Sequence, residues 1–138
     1  MNTASALDNP LLDTDGYKFT MSEQYPPNTE YIFSYLESRG GKFDELVFFG
    51  LQPLLINVMT KPITQEMVDE ADEFVNQYIG PGIFNKAGFE DIVNNHNGML
   101  PLLIKAVPEG TVIGTKQVLL IIQNTVKGFG GWYHILNQ

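Results

Sequence analysis

The clearest periodic signal in the chain runs from Thr64 to Ile79. Met67, Val68, Ala71, Phe74, Val75, Tyr78 and Ile79 fall on one continuous stripe, the pattern of an amphipathic helix with a single buried face. Thr64 is its N-cap, Ile63 can staple to Val68, and Glu66 and Asp69 sit near the positive helix end. Gly80-Pro81-Gly82 stops it. A different pattern runs from Glu30 to Arg39. Tyr31, Phe33 and Tyr35 point one way and Ile32, Ser34 and Leu36 the other, and both sets are largely apolar. This predicts a strand covered on both faces, not an exposed edge. Gly40-Gly41 closes it.

The remaining segments follow from the same reading. Asp15 is the best placed of Asp13, Thr14 and Asp15 to open a short helix through Tyr17, Phe19 and Met21, which Pro26-Pro27 ends. Val47-Phe48-Phe49 begins extended. Gly50–Met59 reads as a buried helix with Pro53 in its first turn. Lys86–Asn95 is a third helix, with Phe89, Ile92 and Val93 inward, and Asn97-Gly98 turns the chain. Leu102–Val107, Val112-Ile113 and Val118–Gln123 are strands, VLLII carries a fully buried pattern, and Pro108–Thr111 is a tight turn. Helices and strands fall in blocks, so the fold class is α+β. Residues 1–8 form a loose start, 9–125 one domain, and 126–138 a divergent tail in which WYHIL restarts an aromatic pattern.

Composition supports one ordinary domain. The 138 residues are 43% hydrophobic and 12% aromatic, enough for a core without a metal or disulfide. Sixteen acids against 8 bases give a formal charge of -8, which argues against a general nucleic-acid or acidic-membrane binder. A small local phosphate site remains open. There are no cysteines, so disulfides and cysteine-held metals are excluded. His96 and His134 lie far apart, with no HxxxH pairing, and point to no zinc site. With no signal peptide and no long apolar run, a soluble cytoplasmic chain is expected.

Candidate chemistry concentrates between Leu11 and Arg39. Asp13 and Asp15 are either caps or carboxylates presented at a loop-to-helix junction, able to accept from an amide N–H or a metal-bound water. Tyr17 is either ordinary helix content or a flat stacking platform for an aromatic ligand. Arg39 is either a solvated strand end or an anion clamp, with Gly40-Gly41 allowing a phosphate close approach. Lys105 extends to solvent or to Glu109, and Glu109-Gly110 are turn residues. His96 is a surface helix end. No Walker A loop, GxSxG, HExxH or GxGxxG is present, so no motif is sufficient for catalysis.

NPLLDTDGYK, QYPPNTEYIFSYLESR, VFFGLQPLL, FN-x-x-GF, LPLLIKAVPEGTVI and VLLIIQNT occur in order from about residue 9 to residue 125. Together they resemble the N-terminal part of the nicotinamide phosphoribosyltransferases. LLDTDGYK alone also resembles nicotinate phosphoribosyltransferases. The resemblance implies the N-terminal domain of a type II phosphoribosyltransferase, with a short antiparallel or mixed sheet and three to four helices. It implies synthesis of nicotinamide mononucleotide and pyrophosphate from nicotinamide and phosphoribosyl pyrophosphate, in NAD salvage. Mg2+ and coupling to ATP belong to that family chemistry, with no cofactor held in this chain. The family is a homodimer with active sites at the subunit interface. Asp15 looks like the aspartate that shapes the nicotinamide pocket, Tyr17 like the tyrosine that stacks on the pyridine, and Arg39 like the arginine that approaches the donor phosphates.

Gly16 departs from the serine usual in animal members, and the segment after Asn124 departs from the family pattern. The family's catalytic histidine and donor-binding loops lie beyond Gln138, so the expectation is a truncated or split member, catalytically incomplete alone. Three functions compete: a phosphoribosyltransferase portion that works with the missing remainder, a non-catalytic partner that docks on a full-length enzyme, and a fold without a ligand. Nicotinamide and phosphoribosyl pyrophosphate are the expected ligands, with self-association or docking to a full-length subunit, and no nucleic acid or membrane.

Overall fold

The structure, a computed structural model, describes residues 9–128. Thr64 acts as the N-cap expected from the sequence: its hydroxyl accepts from the Met67 amide at 3.4 Å and opens the longest helix, Gln65–Tyr78. In chain order the elements are a 3-10 helix (Gly16–Gln24), β1 (Phe33–Glu37), β2 (Glu45–Val47), α1 (Leu51–Val58), α2 (Gln65–Tyr78), α3 (Lys86–Asn95), β3 (Leu102–Ala106), β4 (Val112–Gly114) and β5 (Val118–Asn124). The α+β class follows from the sequence as expected.

The helical side has its own core. Val68, Ala71 and Val75 bury the inner stripe of α2, and Phe89 and Ile92 bury that of α3. Leu11, Phe19, Ile63 and Phe84 complete the cluster. Phe19 meets Phe84 edge-on, and Phe84 stacks on Phe89 with ring centroids 5.1 Å apart. Lys86 reaches back to Asp69 at 2.7 Å and pins α3 to α2; that hydrogen bond holds the Asp69 carboxyl below its usual range. The Asn97-Gly98 turn is forced by space. Both residues have positive φ, and a Cβ at Gly98 would lie 2.4 Å from the Ile63 carbonyl oxygen.

The strands form two small antiparallel sheets, ordered β1-β5-β3 and β2-β4. Leu119 and Leu120 of β5 and Phe48 form a second core, with Leu46, Val107 and Ile113 against it. The two sheets join through paired connections. Lys116 N donates to Ser38 O at 2.9 Å, and Thr115 N donates to Asp44 O at 2.9 Å. These bonds continue the pairing from Glu37↔Val118 to Glu45↔Gly114. Residues Arg39–Phe43 are therefore extruded as a loop whose base is closed by both bonds.

Two buried asparagines tie distant segments together. Asn124 is 1% exposed; its amide donates to Glu30 O and Val126 O, and its carbonyl accepts from Ile32 N at 2.7 Å. Asn9 is equally buried; its amide donates to Met67 O and Glu70 Oε2, and its carbonyl accepts from Leu11 N. The first bolts the start of β1 to the end of β5. The second bolts the segment before Asp15 to α2.

Three expectations need correction. The Glu30–Arg39 strand is not covered on both faces: β1 is an edge strand, with Phe33 58% and Tyr35 57% exposed. Gly50–Met59 does form a helix, but α1 has no buried residue, and Leu54 and Ile56 are exposed. In VLLII only Leu119 and Leu120 are buried, and Val118 is exposed. The cause is common to all three. Their apolar pattern asks for a layer on each side, and the described residues supply one layer. The expectations for 1–8 and for WYHIL fall outside the described residues.

Replacing Asn124 by Ala removes the side-chain bonds to the Ile32 amide and to the Glu30 and Val126 carbonyls, of which Glu30 O still accepts from Gly128 N, and is expected to cost about 2–3 kcal/mol in chemical denaturation. A loss within experimental error would show that Asn124 does not hold β1. The exposed apolar face is expected to bind a hydrophobic dye in the native state and to drive self-association. A dye-silent, monomeric chain in sedimentation would contradict that.

Candidate functional site

Asp15 and Tyr17 open the 3-10 helix. Its first turn is closed by the backbone, with Lys18 N donating to Asp15 O at 2.9 Å. The Asp15 carboxylate makes no cap hydrogen bond, which corrects the capping expectation. A tight i→i+3 turn is satisfied here by the carbonyl, so the carboxylate stays exposed to solvent. Tyr17 is 63% exposed, while Phe19, two residues on, is locked in the helical core. The segment is thus anchored through Phe19 and Leu11, with the Tyr17 ring left accessible. A Cβ at Gly16 would meet the Ile79 side chain at 3.5 Å, so this turn lies against the end of α2. Thr14 Oγ1, between the two aspartates, is buried without a hydrogen-bond partner.

Arg39 stands at the base of the extruded loop beyond β1. It is exposed, and Gly40 has φ +91°, a conformation that favours glycine. Among the described residues no hydrogen bond or ion pair joins Arg39 to Asp15 or Tyr17. The structure keeps Asp15 and Tyr17 on one turn and Arg39 on the sheet side.

Between α1 and the β1-β5-β3 sheet lies an apolar groove of about 350 Å³, lined by Leu36, Leu54, Ile104 and Ile122 among others. Asp13 is the one charged side chain in that lining. Among the described residues no group of three His, Asp or Glu side chains could hold a metal ion. No helix among them is long and apolar enough to cross a membrane.

Two contributors escaped sequence reasoning. Glu109 does occupy the tight turn, where Gly110 has positive φ, but its carboxylate also accepts from the Gln52 amide at 2.6 Å. It caps α1 from far away in sequence, because the N-cap residue Gly50 has no side chain to do so. Lys105 stays exposed. Lys116 is the second. It adopts φ +61°, uncommon for a non-glycine residue, beside the Ser38-Arg39 peptide. His96 ends α3, with Asp91 3.8 Å away.

Residues 9–104 match the family model described as nicotinamide phosphoribosyltransferase, N-terminal domain. Nicotinamide phosphoribosyltransferase of Xanthomonas campestris pv. campestris (strain 8004) is 46% identical over 119 residues, covering 86% of this chain and 25% of that protein. The enzyme of the same name from Acinetobacter baylyi is 29% identical over 135 residues, covering 88% of this chain and 27% of that protein. The chain thus spans about a quarter of the length of the curated relatives it matches.

Glu109→Ala is expected to lower stability by about 1 kcal/mol through loss of the α1 cap, with Glu109→Gln losing less. Equal stability of Glu109→Ala and the native chain in denaturant would show that the cap contributes nothing.

Proposed function

The chain belongs to the nicotinamide phosphoribosyltransferase family, and from that membership we propose that it is the N-terminal portion of such an enzyme, lending Asp15, Tyr17 and Arg39 to a site completed by a second polypeptide. The observation that carries this reading is the accessible Tyr17 ring on a turn anchored by Phe19. An aromatic platform held this way stacks on a flat heteroaromatic ring such as nicotinamide, worth about 0.5–1.5 kcal/mol beyond buried area. The free Asp15 carboxylate accepts from the carboxamide N–H. Arg39 faces the anionic end of the ribosyl donor.

In the proposed reaction the pyridine nitrogen bonds to the anomeric carbon as the carbon–oxygen bond to pyrophosphate breaks, and the leaving oxygen takes the electron pair. Positive charge develops on the sugar and negative charge on the leaving group. Stacking holds the weakly nucleophilic ring in line, and a guanidinium near the leaving group stabilises its charge.

The test is complementation. A full-length relative whose tyrosine aligned with Tyr17 is replaced by Ala is mixed with this chain, and nicotinamide mononucleotide formation is followed. The native chain is expected to restore turnover, and the Tyr17→Ala chain to fail while melting within a few degrees of native. Turnover by the 138-residue chain alone would refute the incompleteness. A fall in the relative's activity, indifferent to Tyr17→Ala, would favour the second reading: a docking partner using the open β1 edge.

A further inference from the structure

The extruded loop Arg39–Phe43 concentrates positive charge in an acidic chain. Arg39, Lys42 and Lys116 are three of the 8 basic residues of a protein with net charge -8. Arg39 and Lys116 are far apart in sequence, yet the 2.9 Å bond from Lys116 N to Ser38 O sets their backbones side by side. A Cβ at Gly40 would lie 4.0 Å from Thr115 Oγ1, so Gly40 is also near the connection that carries Lys116. Glu37, Asp44 and Glu45 flank this corner. None of them, nor any other carboxylate among the described residues, forms an ion pair with Arg39 or Lys116. Lys42 is engaged differently, with its ammonium 5.7 Å from the Phe43 ring centroid.

Two exposed cations rooted on adjoining backbones, with no counterion of their own, favour an anion between them. Lys116 also pays conformationally, since φ +61° disfavours a side chain with a Cβ and suits glycine or asparagine. We infer that Lys116 is a second cation of the anion clamp, paired with Arg39 across the loop base to hold a diphosphate group. The inference rests on the phosphate role proposed for Arg39 and adds a residue that no sequence motif singled out. The guanidinium offers a planar fork and the ammonium a point charge, so together they grip two neighbouring phosphoryl groups better than either alone. Gly40 leaves the floor of the loop free of side chain, so the anion can approach the backbone.

The left-handed φ makes the test clean, because Lys116→Gly and Lys116→Asn remove the charge at a position whose backbone suits them. Inorganic pyrophosphate and phosphoribosyl pyrophosphate are titrated in parallel by calorimetry into the native chain and into Lys116→Gly, Lys116→Asn, Lys116→Arg, Arg39→Gln and the distant control Lys61→Gln. Thermal melting confirms folding of each. Lys116→Gly and Lys116→Asn are expected to weaken pyrophosphate binding by about three- to tenfold, and Lys116→Arg and Lys61→Gln to leave it near native. The difference should shrink with added salt. Similar losses for both ligands assign the effect to the diphosphate; a loss for phosphoribosyl pyrophosphate alone would contradict a diphosphate clamp. Native-like binding by Lys116→Gly, or no pyrophosphate binding by the native chain, overturns the inference. If Arg39→Gln weakens binding while Lys116→Gly does not, Arg39 keeps its proposed role and only the pairing falls.

Discussion

β5 is the strand on which the sheet side depends, because among the described strands it alone is paired along both edges. Its register against β1 fixes Glu37 opposite Val118, and everything just beyond that pair follows. Ser38 is held by Lys116, Asp44 by Thr115, and the residues between them have no ladder to join. At its other end β5 finishes in Asn124, whose buried amide closes the opening of β1. One strand therefore sets both where β1 begins and where Arg39 leaves it. A slip of one residue would turn Leu119 and Leu120 out of the core and shift the loop base at the same time.

Local chemistry was readable and coverage was not. The capped stripe of α2, the helix Lys86–Asn95, and the turns at Asn97-Gly98 and Pro108–Thr111 are each decided by neighbours within a few residues, and each appears where the pattern places it. Periodicity also found β1 and α1, but it cannot say whether the second apolar face meets anything. The long-range bonds were silent in sequence. Glu109 reaches Gln52 across 57 positions and Asn124 reaches Ile32 across 92, and neither residue type announces such a partner. Asp15 was located at the right turn but with its carboxylate unemployed, because the tighter helix satisfies itself through the backbone.

The two cores anchor the candidate residues through different elements. Phe19 ties Asp15 and Tyr17 to the helical core, whereas Arg39 leaves the sheet that carries the other. Each group is positioned by a different packing unit, and α2 and α3 form the one close helix pair among the described elements. Chemistry that needs all three residues at one ligand therefore depends on how the two packing units are held together. The open faces of β1 and α1 adjoin both units, and an apolar surface of this kind is ordinarily an interaction site.

α1 illustrates what that openness means for motion. It is held by the Glu109 carboxylate at one end and by the rim of an apolar groove along its length, with no residue of its own buried. By contrast α2 carries Val68, Ala71 and Val75 in a closed core. Helices with so little burial open at a free energy far below that of the whole molecule. Backbone amides of α1 should therefore exchange with solvent deuterium well ahead of those in α2, by fluctuations that leave the rest of the chain folded. Equal protection of the two helices would mean that α1 opens only with global unfolding.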